Sequence, residues 1–226
     1  MLRAIVFDFD GVIANSEPLH FAAFHDVLAV RGVELNKADY YGRYLGYDDV
    51  GVFRAVASDH HLVWTRDHVA DLTRAKAARL AQLEGETSVL FPGAEAVIRR
   101  AAARVPLAIA SGALGVEIRR ALDHADLTSS FRAIVAAGET PAGKPEPDPY
   151  ARALTLLSER LGTAFPPESC VAIEDSKWGL ASAKAAGLRT VGVLHTYGRD
   201  ELDTADLIIR SLDDLDLEAL DRLCPG

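Results

Sequence analysis

"AIVFDFDGV", residues 4–12, is the stretch on which the reading of this chain turns. Ala4 to Phe7 form a continuous apolar run, the pattern of a strand buried on both faces rather than one. The run then passes straight into Asp8, Phe9 and Asp10. Aspartates at a strand end are commonly turn-formers. Two carboxylates spaced two residues apart at the end of a buried strand nevertheless ask what they are for.

Working outward, similar runs recur: "PLAIA" (106–110), "AIVAA" (133–137), "CVAI" (170–173), "TVGVL" (190–194) and "DLIIR" (206–210). Between them lie amphipathic segments long enough for helices, "GVEIRRALDHA", "DPYARALTLLSERLG" and "SKWGLASAKAAG". Strand–helix alternation with short loops predicts right-handed βαβ units, hence an α/β fold with a doubly wound parallel sheet, a Rossmann-like core.

Residues 15–89 break the rhythm. They hold no convincing buried strand but three helical patterns, "SEPLHFAAFHDVLAVRG", "NKADYYGRYLG" and "TRDHVADLTRAKAARLAQLEG", with Ser16, Asn36 and Thr65 as N-caps. The first places Leu19, Phe21, Phe24, Val27 and Leu28 on an apolar face. The expectation is an all-helical cap domain over 15–89, inserted into an α/β core of residues 1–14 and 90–226.

Composition sets outer limits. A chain of 226 residues with 49% hydrophobic and 25% charged residues has room for a sizeable core. A net charge of −9 argues against non-specific nucleic-acid binding, which needs a basic surface. It leaves room for an anionic small molecule, because a divalent cation inverts the local field. Cys170 and Cys224 match no metal or redox spacing. No leader-like or membrane-spanning run stands out, so the chain reads as soluble and cytoplasmic, without a membrane partner.

Ligands of open α/β sheets bind beyond the carboxyl ends of the strands. There the first strand delivers Asp8 and Asp10, and the second Ser111 and Gly112 from "AIASGA". The loop "AGETPAGKPEPDPY" brings Lys144, and the fourth strand ends on Glu174 and Asp175 in "AIEDSKWG". Each alone has an ordinary reading: a turn, a serine turn, a solvated lysine, a helix cap. Their arrival on one rim favours a shared function. Four clustered carboxylates repel unless something positive sits among them, and an all-oxygen set suits Mg²⁺. A carboxylate can attack phosphorus, while a lysine, a hydroxyl and backbone N–H groups grip the other oxygens.

With "DFDGV", the "ASG" serine, "GKPEPDPY" and "IEDSKWGLASAKAAG" in that order, the chain resembles the haloacid dehalogenase-like superfamily across nearly its whole length. The match is to the helical-cap branch that contains phosphoglycolate phosphatase and β-phosphoglucomutase. The resemblance implies Asp8 as nucleophile and Asp10 as general acid, then base. It implies Ser111, Gly112 and Lys144 as phosphate-binding residues. Mg²⁺ would be held by Asp8, Asp175, the backbone carbonyl of Asp10, and Glu174 as ligand or as a partner behind one.

Within that resemblance, Asp10 favours phosphate esters over alkyl halides, since the similar dehalogenases lack it. Phosphonoacetaldehyde hydrolases need a cap lysine, and Lys37 and Lys76 do not match its place. A mutase would want an arginine after the cap glycine, where "YLGYDDVGVF" offers Asp48 and Asp49, acids that would repel a second phosphate. His20, Tyr44 and Tyr47 are candidate cap or hinge contacts to substrate. His60, His61 and His68 lack the spacing of a metal site. The function expected is Mg²⁺-dependent hydrolysis of a small phosphorylated metabolite through an aspartyl-phosphate, by a monomer or homodimer. A sugar-phosphate mutase and a catalytically silent phospho-metabolite sensor are the alternatives.

Overall fold

A computed structural model of the chain describes residues 1–45, 47–86 and 88–225. These fall into two compact units, Met1–Asn15 with the chain from Val89 onward, and Ser16–Ser88. In chain order, β1 (Ala4–Phe7) precedes α1 (Glu17–Ala29), α2 (Lys37–Asp39), α3 (Asp49–Asp59) and α4 (Arg66–Glu86). Then follow α5 (Ala94–Ala102), β2 (Leu107–Ala110), α6 (Gly115–His124), β3 (Phe131–Val135), α7 (Asp148–Leu161) and β4 (Cys170–Glu174). The chain ends with α8 (Lys177–Ala185), β5 (Arg189–Val193), β6 (Leu207–Ile209) and α9 (Leu217–Leu223).

The first unit is built on a six-stranded sheet of order β3-β2-β1-β4-β5-β6, parallel throughout. The chain builds outward from β1 through β2 to β3, then returns to β1's other side as β4. The winding direction therefore reverses between β1 and β4, the position beyond whose strand ends open α/β sheets bind their ligands. Register makes those ends level: Phe7 pairs with Ile109 on one side and with Ile173 on the other. Asp8 N–H donates to the Ile173 carbonyl at 2.9 Å, which fixes the residue after β1 against β4.

The apolar runs form strands because both sheet faces are covered. Ala4, Val6, Ala108, Ala110, Ala133 and Ala172 face a core shared with Tyr150, Leu154 and Leu157 of α7 and Ala183 of α8. Their small side chains let the helices approach closely. Ile5 and Phe7 alternate with them along β1 and are fully buried, each contributing about 1.5–3 kcal/mol of transfer free energy. β3 lies two residues earlier than the apolar run 133–137. As an edge strand it buries only alternate residues, so exposed Arg132 is accommodated. Ala136 and Ala137 instead turn away, their N–H groups donating to Glu139 and to the Ala113 carbonyl.

The second unit is helical around Phe24, Leu28, Tyr40, Tyr44, Val52, Phe53, Val56, Val69 and Leu72. Asn36 and Thr65 cap as the sequence predicts, accepting from Asp39 N–H (2.8 Å) and His68 N–H (3.2 Å). The helix expected over "NKADYYGRYLG" is only the short α2, running into a π-helical turn at Tyr40–Tyr44. Gly42 and the tyrosines give that segment little helix propensity. α3 is a helix that the periodicity did not reveal, since Val50, Gly51 and Val52 open it. Its signal was the cap: Asp48 accepts from Gly51 N–H at 2.7 Å. Among the described residues, no helix is long and apolar enough to cross a membrane.

Candidate active site

At the β1/β4 switch the strand ends bring Asp8, Glu174 and Asp175 together, all buried, with ligand oxygens within 4.8 Å of one another. Lys144 reaches this cluster from the loop before α7. Its Nζ lies 2.7 Å from Asp8 Oδ1 and 2.5 Å from Glu174 Oε1. The Asp8 contact is a close, buried ion pair.

Glu174 is fully engaged. Oε1 accepts from Lys144 and from the Tyr150 hydroxyl at 2.9 Å. Oε2 accepts from Asp175 N–H (3.1 Å), Ser176 N–H (3.2 Å) and Ser176 Oγ–H (3.0 Å). A side chain at Gly179 would overlap this carboxylate, so the first turn of α8 carries glycine there. Ser176 caps α8, accepting from Gly179 N–H at 3.1 Å. Glu174 thus ties Lys144 to the β4–α8 turn that presents Asp175.

Gly11 opens the turn after Asp10. Its φ of +78° suits glycine, and a Cβ there would overlap the Asp175 carboxylate and stand 2.8 Å from Thr196 Oγ1. Phe9's carbonyl accepts from Ile13 and Ala14 N–H at 2.9 Å each, so the chain leaves the sheet at Phe9. Asp8, Glu174 and Asp175 are buried together, while Asp10 lies at the start of the turn and is exposed.

Electrostatics follow from the burial. Desolvation lifts the Asp8 carboxyl to about 8; Lys144 opposes the rise, and Glu174 and Asp175 add to it. Burial also lifts Asp175 to about 6, against a hydrogen bond from Thr196. Burial works against the Lys144 ammonium, but Asp8 and Glu174 outweigh it and hold its pKa above the ordinary lysine range. One lysine against three buried carboxylates leaves excess negative charge. The all-oxygen donor set with that charge fits a hard divalent cation.

Ser111 follows β2 and is buried; its Oγ accepts from Ala113 N–H at 3.1 Å, a serine turn that leaves the O–H to donate outward. Gly112 is exposed beside it. Tyr150, Thr196 and His195 are additions that the sequence reading did not single out. Tyr150 stood in the quoted "GKPEPDPY", and the other two begin "HTY" after β5, a strand end left unread.

The remaining candidates lie in the helical unit. Tyr44 is buried in the core of this unit, and its hydroxyl donates to Asp59 Oδ2 at 2.6 Å. Tyr47 is exposed, and Gly46 beside it lies outside the described residues. His20 Nδ1 is 3.1 Å from Lys76 Nζ, which in turn donates to Asp49 Oδ1 at 2.7 Å. Burial and then the Lys76 charge push the His20 imidazole down to about 4, so it is neutral and accepts from Lys76. The case against a mutase from Asp48 and Asp49 therefore weakens: one caps α3 and the other is paired with Lys76.

A family model described as haloacid dehalogenase-like hydrolase matches residues 5–193. The chain belongs to that family. Among haloacid dehalogenase-like relatives, Protein CbbY of Rhodobacter capsulatus is 32% identical over 239 residues, covering 98% of this chain and 99% of its own. Hexitol phosphatase B of Escherichia coli (strain K12) is 33% identical over 196 residues, covering 85% and 83%. The crystal structure of CbbY from Rhodobacter sphaeroides in complex with phosphate superposes with a TM-score of 0.78 at 30% identity, covering 98% of this chain and 100% of that one.

Proposed function

We propose that this haloacid dehalogenase-like hydrolase is a Mg²⁺-dependent phosphatase that hydrolyses the phosphate monoester of a small polar metabolite. The observation that carries the reading is Asp8 at the switch point, held by Lys144 on one side and facing Asp175 on the other. The names of the relatives, a hexitol phosphatase among them, support the same reaction class.

Asp8 and Asp175, with the backbone carbonyl of Asp10, would hold the metal. When bound, Mg²⁺ supplies charge neutralisation for the phosphoryl oxygens and for the Asp8 carboxylate. Glu174, saturated by five donors, orients Lys144 and the Asp175 turn. Lys144, the Ser111 hydroxyl and the Gly112 N–H bind the non-bridging phosphoryl oxygens.

An Asp8 carboxylate oxygen attacks phosphorus, and the bond from phosphorus to the substrate oxygen breaks. Asp10 gives its proton to that leaving oxygen, and the alcohol departs. A water then attacks the aspartyl-phosphate, Asp10 takes the water proton, and the O–P bond to Asp8 breaks. Inorganic phosphate leaves and both aspartates are restored. Residues 15–89 act as the cap domain that selects the alcohol portion.

The test is p-nitrophenyl phosphate hydrolysis with Mg²⁺ and with EDTA, for wild type and Asp8→Asn. Metal-dependent turnover lost in Asp8→Asn is expected; a wild type without it overturns the reading in favour of a silent binding protein. Conversion of β-glucose 1-phosphate plus its bisphosphate to glucose 6-phosphate, faster than phosphate release, would make the enzyme a mutase.

A further inference from the structure

We propose that Thr196 and His195, delivered by the carboxyl end of β5, are positioning residues that lock the Asp175 carboxylate and the Asp10–Gly11 turn against each other. This rests on the phosphatase reading above and adds residues that it does not use. The Asp175 carboxylate and Thr196 Oγ1 crowd one point beside Gly11, 1.9 Å and 2.8 Å from where a Cβ on that glycine would stand, which places the hydroxyl to donate to the carboxylate. One of that carboxylate's acceptor sites is thereby fixed, which sets the rotation of the group facing Asp8. His195 Nδ1 lies 2.9 Å from the Gly11 carbonyl. A carbonyl only accepts, so Nδ1 carries the proton and the imidazole tautomer is set by the turn it holds.

The placement is specific. His195 N–H donates to the Val193 carbonyl at 2.9 Å, a tight turn that swings the chain off β5 toward β1. Its ring stacks on Phe91 with centroids 3.9 Å apart and planes 21° apart, a flat apolar support that restricts the imidazole. The Gly11 turn leaves no room for a Cβ over Asp175 and Thr196. Ends of three strands, β1, β4 and β5, therefore close on one another within a single compact unit. A partner that orients a ligating carboxylate acts on metal affinity as well as on rate.

The measurements are calorimetric titration of the full chain with Mg²⁺ in the absence of substrate, and steady-state hydrolysis of p-nitrophenyl phosphate. Thr196→Val keeps the shape and removes the donor; Mg²⁺ binding is expected to weaken about tenfold. Thr196→Ser keeps the hydroxyl and is expected to stay within about threefold of wild type. His195→Phe preserves the stack on Phe91 and loses the bond to Gly11, and is expected to lower kcat about tenfold with KM nearly unchanged.

Wild-type Mg²⁺ affinity in Thr196→Val, or wild-type kcat in His195→Phe, overturns the proposal. A fall in melting temperature with Mg²⁺ affinity and kcat unmoved is the same contrary result, since it marks a structural staple only. Should Thr196→Val not fold, His195→Phe decides. A wild type without metal-dependent turnover sinks the phosphatase reading instead, so the two failures are distinguishable.

Discussion

Lys144 Nζ stands 2.7 Å from Asp8 Oδ1 where both side chains are largely withdrawn from water, at 14% and 11% exposure. Removing the cation is the costly change, because the buried carboxylates lose their counter-charge, whereas Lys144 without Asp8 keeps Glu174 at 2.5 Å. Lys144→Met would leave Asp8, Glu174 and Asp175 facing one another with no cation. The expected outcome is a loss of about 3–5 kcal/mol at neutral pH in metal-free protein, read by urea denaturation, together with loss of turnover. A variant as stable as wild type would show that Lys144 does not neutralise the cluster.

Asp8→Asn separates chemistry from stability. The wild-type carboxyl is raised to about 8, chiefly by burial, so its ionised form opposes folding at neutral pH. An amide there is expected to give a metal-free melting temperature at pH 8 no lower than wild type. Turnover falls by about a thousandfold or more. A strongly destabilised Asp8→Asn would mean that the ion pair with Lys144 outweighs the burial.

The pH dependence has a definite sign. Asp8 and Asp175 are raised from an ordinary 3.8 to about 8 and about 6. Their contribution to stability is full below about pH 4 and is lost as pH rises through those values. Mg²⁺ counters the same charges, so its upward shift of the melting temperature is expected to grow from pH 5 to pH 8. Scanning calorimetry with Mg²⁺ and with EDTA reads this directly. A shift that shrinks over that range contradicts the assignment. His20 runs the other way: lowered from 6.5 to about 4, it favours the fold above 6.5 and withdraws that support as pH falls toward 4.

In the helical unit, Lys76 is almost wholly buried between Asp49 and His20, with its ammonium 4.7 Å from the Phe24 ring centroid. Asp49 remains about a third exposed, which screens the pair. Lys76→Met, similar in volume, is expected to cost about 1–3 kcal/mol, detectable as a lower denaturation midpoint. No change would show the pair to be energetically neutral.

Much of this was legible in the sequence because a parallel sheet collects its strand ends on one rim. The loops just past the apolar runs are therefore where candidate residues were sought, and four of those singled out from residue order, Asp8, Lys144, Glu174 and Asp175, are brought together by the fold. The limits were equally physical. Tyr44 stands beside a glycine loop in sequence, but which side of a π-helical turn faces the core is settled only by packing. α3 was hidden because tertiary burial of Val52, Phe53 and Val56 overrides weak helix propensity. Asp49 looked like an unpaired acid, since its lysine lies on another helix. Thr196 and His195 act across 21 and 184 residues of chain, respectively, on Asp175 and Gly11.

Asp10→Asn probes the division of labour between the first two acids. Asp10 is exposed, and the metal contact proposed for it is through its backbone carbonyl. Turnover is expected to fall about 10²–10⁴-fold while Mg²⁺ affinity by calorimetry stays near wild type. A large loss of affinity would place the Asp10 side chain on the metal.

The most direct measurement is mass spectrometry of wild type quenched in acid during turnover of a phosphate monoester with Mg²⁺, followed by peptide mapping of residues 4–12. The account expects one phosphoryl group on Asp8, absent with EDTA, short-lived in wild type and longer-lived in Asp10→Asn. Turnover under single-turnover sampling with Asp8 never phosphorylated, or with the phosphoryl group on another residue, would contradict it.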